Sequence, residues 1–178
     1  MTDPTSDCAS HHCQPSSATV GLLAENIVAQ WLMSQGWTIL HRRWHCRWGE
    51  LDLVAYSEAI AAQPCPFQAP LSFVEVKARR SGNWDANGLL AVSSQKQIKL
   101  WRTAKAFLAA QPQLSEVPCR FDVALVRCEV VRSSSPVANP HLIDGATLGA
   151  IQIGQPIVIA PYRLSIQQYV QNAFNIEA

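Results

Sequence analysis

Three residues have the types and spacing that metal-assisted chemistry needs: Asp52, Glu75 and Lys77. The segments around them, Glu50–Tyr56 and Leu71–Ala78, read as strands, in which side chains alternate between the two faces. Glu75 and Lys77 therefore share one face. If the two strands pair so that Asp52 faces Glu75, one small site holds two carboxylates and an ammonium group.

That set of groups has a chemical use. Carboxylate oxygens are ligands that Mg²⁺ takes from proteins, together with water and phosphate oxygens. A bound cation acidifies a coordinated water and neutralises a phosphate under in-line attack, and a nearby lysine can orient that water or stabilise the oxyanion. The pattern indicates phosphodiester hydrolysis. A structural interpretation stays open, in which Glu75 pairs with Lys77 and Asp52 caps a loop.

Helices and strands alternate along the chain that must position these residues. Apolar spacing predicts a helix over Val20–Gln35, with Thr19 as its N-cap and Gly36 as its stop. The other predicted elements are a strand at Trp37–Leu40, a basic and aromatic link at His41–Gly49, the strands Glu50–Tyr56 and Leu71–Ala78, a helix at Ser93–Ala110, a strand at Phe121–Val131, a strand within Ile151–Ala160 and a short helix at Ser165–Phe174. This order predicts an α/β domain with a mixed sheet.

Length and composition limit the class of protein. A chain of 178 residues with 48% apolar residues has enough material for one domain with a real core. We expect a disordered polar tail over residues 1–18 and a single domain over 19–178, with loop insertions near 57–70 and 132–150. No apolar run approaches the roughly 18 residues of a membrane span, and the polar N-terminus lacks the apolar stretch of a secretory signal. A cytoplasmic protein without a membrane partner is expected.

The net charge of +1 conceals an asymmetry along the chain. Residues 37–105 contain ten Lys and Arg against five Asp and Glu, whereas the remainder contains four against eight. A basic surface around a few acids favours an anionic partner such as nucleic acid. Ordinary surface charge is the alternative.

The same residues carry a family resemblance. "GELD" at residues 49–52, followed by "VEVKAR" at 74–79, resembles the PD-(D/E)xK nuclease superfamily, although Leu51 stands where the superfamily name has proline. The ordered segments "GLLAENIVAQWLMSQGWTILHRRWHCRWGELDLVA", "FVEVKAR", "AVSSQKQIKLWRTAKAFL" and "CRFDVALV" resemble the UPF0102 (YraN-like) family. That resemblance implies a restriction-endonuclease-like mixed sheet flanked by helices. It also implies a predicted endonuclease similar to Holliday-junction resolvases.

The resemblance implies roles for individual residues. Asp52, Glu75 and Glu25 are expected to bind Mg²⁺ or Mn²⁺, and Lys77 to serve catalysis. The expected supporting or phosphate-binding residues are Glu50, Lys96, Asp122, Arg42, Arg43, Arg79 and Arg80. Three alternatives stay open: Glu50 as a further ligand or a partner of Arg42 or Arg43, Lys96 on a solvated helix face, and Asp122 paired with Arg120.

The resulting hypothesis is a metal-dependent endodeoxyribonuclease that acts on branched or structured DNA, with a homodimer considered because resolvase-like proteins make paired cuts. Under it, the tryptophans at 44, 48 and 84 stack on unpaired bases, although core or loop packing is the ordinary role of any one of them. Two rival hypotheses are a non-catalytic nucleic-acid-binding module on the same fold and an interaction protein whose acids are structural.

Overall fold

The computed structural model describes residues 17–62, 69–80, 92–131 and 150–174. The elements in chain order are α1 (Ser17–Ser34), β1 (Thr38–Cys46), β2 (Gly49–Tyr56), α2 (Glu58–Ala62), β3 (Leu71–Arg80), α3 (Ser94–Ala110), a 3-10 turn (Pro112–Leu114), β4 (Cys119–Val130), β5 (Ile157–Ile159) and β6 (Tyr162–Val170). The predicted alternation of helices and strands is confirmed, with differences at both ends of the sheet.

The six strands form one mixed sheet in the order β1-β2-β3-β4-β6-β5. Among the strands that the structure describes, only β3 and β4 pair in parallel; the other neighbouring pairs are antiparallel. A parallel pair needs a crossover connection, and α3 lies in the chain between β3 and β4. This mixed sheet flanked by helices is consistent with the restriction-endonuclease-like fold, as expected.

Two apolar clusters cover the two faces of the sheet. On one face, α1 packs through residues such as Leu23 and Ile27 against Val74 of β3. On the other face, α3 packs through residues such as Phe107 against Phe73. Since Val74 and Phe73 are neighbours in β3, the alternation predicted for this strand is confirmed.

The helix boundaries agree with the sequence at most points. Ser93 caps α3 by accepting a 3.4 Å hydrogen bond from the Lys96 amide, and Gly36, with φ of +83°, follows the end of α1. Thr19 is not the N-cap of α1, because the helix begins at Ser17, inside the segment expected to be a polar tail.

The predicted link at His41–Gly49 is wrong, because β1 continues to Cys46. Its polar residues fit a strand at the edge of the sheet, where one side of the strand faces solvent. The predicted C-terminal helix at Ser165–Phe174 is also wrong. The segment forms most of β6, in which Leu164 and Ile166 are buried while the strand lies between β4 and β5.

Parts of other predictions lie outside the described residues. The tail over residues 1–16 and the stretches 63–68 and 132–149 belong to this group. The first expected insertion begins with the short helix α2, and residue 150 is the only described residue of the second. Within the described ranges, no helix combines the length and the apolar character needed to cross a bilayer.

Candidate metal centre

Strands β2 and β3 separate at the candidate site. They pair from Tyr56 opposite Leu71 up to Leu53 opposite Val74, and the pairing stops there. Extending this register by one residue places Asp52 opposite Glu75, the arrangement proposed from the sequence. Beyond the last pair, the Asp52 side chain takes a backbone partner from β3: its Oδ2 accepts a 2.7 Å hydrogen bond from the Val76 amide.

Glu75 is held at one oxygen and left open at the other. The side chain is 4% exposed, and its Oε1 accepts a hydrogen bond from Lys77 Nζ and lies 3.2 Å from Lys96 Nζ. Oε2 is buried and has no hydrogen-bond partner among the described residues. A buried carboxylate oxygen without a partner is costly, so this oxygen is able to accept a hydrogen bond or to bind a cation.

The pKa values of two neighbouring acids, Asp52 and Glu25, are raised. Burial, followed by the charge of Glu75, raises the pKa of Asp52 from 3.8 to about 6, against the opposing effect of the Val76 amide. Burial, followed by the charge of Asp52, raises the pKa of Glu25 from 4.5 to about 7. Burial is the largest cause in both cases, and it is only partly offset by Lys96 and Lys77 at Asp52 and by Arg43 and Arg42 at Glu25.

The residues present fit a hard divalent cation. Such an ion would satisfy the open oxygen of Glu75 and relieve the repulsion between Glu75 and Asp52. Among the residues that the structure describes, however, no group of three or more Asp, Glu, His and Cys side chains is arranged to hold a metal ion. Glu25 interacts electrostatically with Asp52 but does not complete a three-ligand group with Asp52 and Glu75. Mg²⁺ ordinarily completes its coordination shell with water and phosphate oxygens.

Arg43 joins two of the acids across the edge of the site. It stands opposite Asp52 in the β1–β2 register, between the pairs at 42 and 44, and has a φ of 51°. Its Nε lies 2.9 Å from Glu50 Oε1 and 3.8 Å from Glu25 Oε2. A non-glycine residue with positive φ is strained, and such strain is concentrated at functional sites.

Glu50 is thus an ion-pair partner of Arg43, one of the roles left open by the sequence. It also lies 3.2 Å from His45 Nε2, a contact that the sequence did not predict. His45 is one residue beyond Trp44 on the same strand, and only its position opposite Glu50 in the β1–β2 hairpin reveals the pairing.

The other basic residues divide into those at the site and those beside it. Lys96 faces Glu75 and is therefore more than part of a solvated helix face. Arg42 donates to Asn26 Oδ1 at 2.9 Å, and burial lowers its pKa. Arg79 is exposed and lines, with Lys77, a cleft between β3 and the start of α1. The side chain of Arg80 lies outside the described part of the chain.

Asp122 does not belong to the site. It stands beside Val74 in the parallel β3–β4 register, on the α1 side of the sheet, whereas Glu75 faces α3. Its carboxylate accepts hydrogen bonds from Arg120 Nε at 3.0 Å, Ser72 Oγ at 2.6 Å, the Tyr169 hydroxyl at 2.7 Å and the Asn172 amide at 2.8 Å. The structural pairing with Arg120 is the alternative that the structure shows.

The tryptophans also differ in their surroundings. Trp44 packs edge-on against Phe107, with ring centroids 5.4 Å apart, and so belongs to the core on the α3 side. Trp48, in the turn between β1 and β2, is 41% exposed. Residue 84 lies outside the described ranges.

Comparisons with known proteins assign the chain to a family. The model of a family described as "Uncharacterised protein family UPF0102" matches residues 24–126. A UPF0102 protein of Acaryochloris marina is 46% identical over 166 residues, which cover 92% of this chain and 94% of the relative. One from Trichodesmium erythraeum is 46% identical over 159 residues, 88% of each chain, and one from Synechocystis sp. is 44% identical over 156 residues, covering 87% and 97%. The chain therefore belongs to the UPF0102 family.

Proposed function

We propose that the protein is a Mg²⁺- or Mn²⁺-dependent endonuclease that hydrolyses phosphodiester bonds in branched or otherwise structured DNA. One observation carries the proposal. At the point where β2 and β3 separate, Glu75 has a buried oxygen without a hydrogen-bond partner among the described residues. Glu75 lies opposite Asp52 in the extended β2–β3 register and beside two lysine ammonium groups. Two carboxylates and adjacent ammonium groups are the set that metal-assisted phosphoryl chemistry uses.

In this proposal Asp52 and Glu75 hold the cation, with Glu25 in the same charged environment. The cation, when bound, acidifies a water and neutralises the attacked phosphate. Lys77 fixes the orientation of Glu75 through its hydrogen bond to Oε1 and offers its remaining protons to the attacking water or the oxyanion. Lys96 brings a second positive charge from α3 to the same carboxylate, where it can contact a substrate phosphate.

A non-catalytic nucleic-acid-binding module is the second candidate. One observation supports this second candidate: among the described residues, no group of three or more Asp, Glu, His and Cys side chains is arranged to hold a metal ion. Under this candidate the protein also binds DNA, with an affinity that falls steeply with salt, but it does not cleave the strand.

Cleavage of a DNA panel separates the two candidates. Purified protein is incubated with duplex, flap, gapped and four-way-junction DNA in Mg²⁺, in Mn²⁺ and in EDTA. Asp52→Asn and Lys77→Ala, purified in parallel, control for contaminating nucleases, and Arg163→Ala, an exposed β6 residue, controls for charge. The proposal requires metal-dependent cleavage of at least one DNA by the wild type and the Arg163 variant, and none above background by the other two.

Two further measurements address the cofactor and the assembly without using activity. Calorimetric titration of Mn²⁺ should give binding to the wild type and at least tenfold weaker binding to Asp52→Asn. Light scattering with and without junction DNA tests the homodimer that paired cuts would need. Cleavage equal in wild type and Asp52→Asn would remove the proposed site from consideration.

A further inference from the structure

Helix α3 carries a row of four positively charged residues. Its seventeen residues, SQKQIKLWRTAKAFLAA, include four Lys or Arg and no Asp or Glu. The four stand three residues apart, at Lys96, Lys99, Arg102 and Lys105. Neighbours in the row are therefore separated by about 4.5 Å along the helix axis and by about 60° around it, so the row winds round the helix. Among the described residues, no acid lies within ion-pair distance of the last three.

The row connects two defined places. At its first residue, Lys96 Nζ lies 3.2 Å from Glu75. Two steps further, Arg102 lies 5.4 Å from the centroid of the Trp48 ring. The β1–β2 turn meets α3 at this end, because a Cβ on Gly49 would stand 3.1 Å from Thr103 Oγ1. The row therefore leads from the candidate metal centre to the turn that carries Trp48.

The Trp48 ring lies beside a second guanidinium in addition to that of Arg102. Arg47 lies 4.7 Å from the ring centroid, so two arginines share one ring although their like charges repel each other. The ring remains 41% exposed. An exposed aromatic ring between cations is the combination with which proteins hold single-stranded nucleic acid, since bases stack on the ring while cations neutralise phosphates.

We propose that Lys99, Arg102, Arg47 and Trp48 form a binding track for an unpaired DNA strand that leads into the Glu75 site. This rests on the proposed function, because the track is taken to deliver the strand to a hydrolytic centre. The distance from Lys96 to Arg102 is about 9 Å along the helix, which spans about three nucleotides of one strand. At the stacked spacing of about 3.4 Å per nucleotide, the substrate class is DNA with about three unpaired nucleotides beside the scissile phosphate.

The choice of an unpaired strand follows from Trp48. Bases within a duplex are stacked on each other and offer an aromatic side chain no free face, whereas unpaired bases do. Lysines and arginines alone would bind duplex and single strand alike through phosphates. A preference for unpaired nucleotides must then depend on the ring, and overall affinity must depend on the row.

The test measures binding without hydrolysis, by fluorescence anisotropy in EDTA. The probes are a blunt DNA duplex, the same duplex with a six-nucleotide single-stranded overhang, and an RNA version of the overhang probe. Wild type should prefer the DNA overhang to the blunt duplex. Trp48→Ala should weaken overhang binding by about 5- to 100-fold and abolish the preference, while Trp48→Phe should restore most of it.

The cations give an independent readout through salt dependence. Lys99→Ala and Arg102→Ala should each weaken binding and lower the slope of log affinity against log salt by about 0.7 on the overhang probe. Arg163→Ala removes one charge from an exposed β6 position and should leave the slope unchanged. Thermal unfolding checks every variant, and the two exposed α3 positions keep the test decisive should Trp48→Ala not fold.

Several outcomes would overturn the inference. They are an unchanged salt slope in both α3 variants, an unchanged overhang preference in Trp48→Ala, tighter binding to the RNA overhang, and displacement of the probe by polyglutamate as readily as by unlabelled DNA. These outcomes are separable from the proposed function, because cleavage by wild type is measured in a different assay. If wild type cleaves DNA but the variants keep the salt slope and the overhang preference, the track alone is overturned. If the variants change both but wild type does not cleave DNA, the hydrolytic site alone is overturned.

Discussion

Replacing Asp52 by Asn should stabilise the metal-free protein at neutral pH, even though it removes a proposed metal ligand. In the folded protein the pKa of Asp52 is about 6, mainly through burial, compared with 3.8 ordinarily. An acid whose folded pKa lies above its unfolded pKa contributes stability that is fully present below about pH 4. That stability is lost as the pH rises through about 6. Asn carries no charge and escapes the loss.

The magnitude follows from the two pKa values. The gap between 3.8 and about 6 corresponds to about 3 kcal/mol above pH 6. Asn still accepts a hydrogen bond from Val76 but loses its charge-assisted part, which costs about 1 kcal/mol. The free energy of unfolding of Asp52→Asn in EDTA should therefore exceed that of wild type by about 1–2 kcal/mol at pH 7.5. The matching rise in Tm is about 2–8 °C.

Urea unfolding at pH 7.5 and pH 4.5, in EDTA, measures the effect. The excess in unfolding free energy of Asp52→Asn over wild type should be about 2 kcal/mol smaller at pH 4.5 than at pH 7.5, because the folded wild type holds Asp52 protonated at the lower pH. Adding Mg²⁺ at about 100 times its Kd should stabilise wild type by about 2.7 kcal/mol and reverse the order of the two proteins. An Asn variant no more stable than wild type at pH 7.5, or an advantage unchanged at pH 4.5, would refute the reasoning.

Three further predictions concern residues around the site. Asp122→Asn is the same chemical change on β4, but it should lower the unfolding free energy measured in urea by about 3 kcal/mol, because it leaves Arg120 buried without its carboxylate. A loss under 1 kcal/mol would contradict this prediction. Arg43→Gly should be more stable than Arg43→Ala by about 1 kcal/mol, since Gly adopts the φ of 51° without strain, and equal melting temperatures would count against strain at Arg43. Gly49→Ala should destabilise, because Gly49 has a φ of +152° that L residues rarely adopt and because an added Cβ would stand 3.1 Å from Thr103 Oγ1. Thr103→Ala should recover the part of the loss that the contact causes in a double-mutant cycle, and additive effects would exclude the contact as a cause.

The sequence predicted the central part of this fold because local pattern and tertiary environment agree there. In β3, the alternation of Phe73, Glu75 and Lys77 with apolar residues places the acid and the lysine on one face, and the structure confirms it. Helix α3 is also predictable from the sequence, since its apolar spacing and the Ser93 cap are local signals.

The errors arose where local pattern and tertiary position conflict. Residues 41–46 are too polar for a core strand, yet they form a strand because the edge of the sheet tolerates polar side chains. The β6 segment looks helical by composition, and only its insertion between β4 and β5 makes it a strand. The site shows the same limit: the His45–Glu50 and Arg43–Glu25 pairs join residues whose proximity depends on the hairpin register and on the packing of α1.

The two faces of the sheet offer an internal comparison that bears on the function. Asp122, on the α1 side, shows how this protein stabilises a structural carboxylate: a guanidinium, two hydroxyls and a backbone amide satisfy it. Glu75 is as well buried, but one of its oxygens has no partner in the described structure. Nearby, Asp52 has a raised pKa and Arg43 a strained backbone.

The open oxygen of Glu75, the raised pKa of Asp52 and the strained backbone of Arg43 all occur around the point where β2 separates from β3. A fold that can satisfy one buried acid so completely has no structural reason to leave the other incomplete. Selection for stability alone would replace such a group, because well-packed apolar residues serve as well as buried charges or better. The divalent cation that we propose would meet the charge, the open oxygen and the chemistry of the neighbouring lysines together.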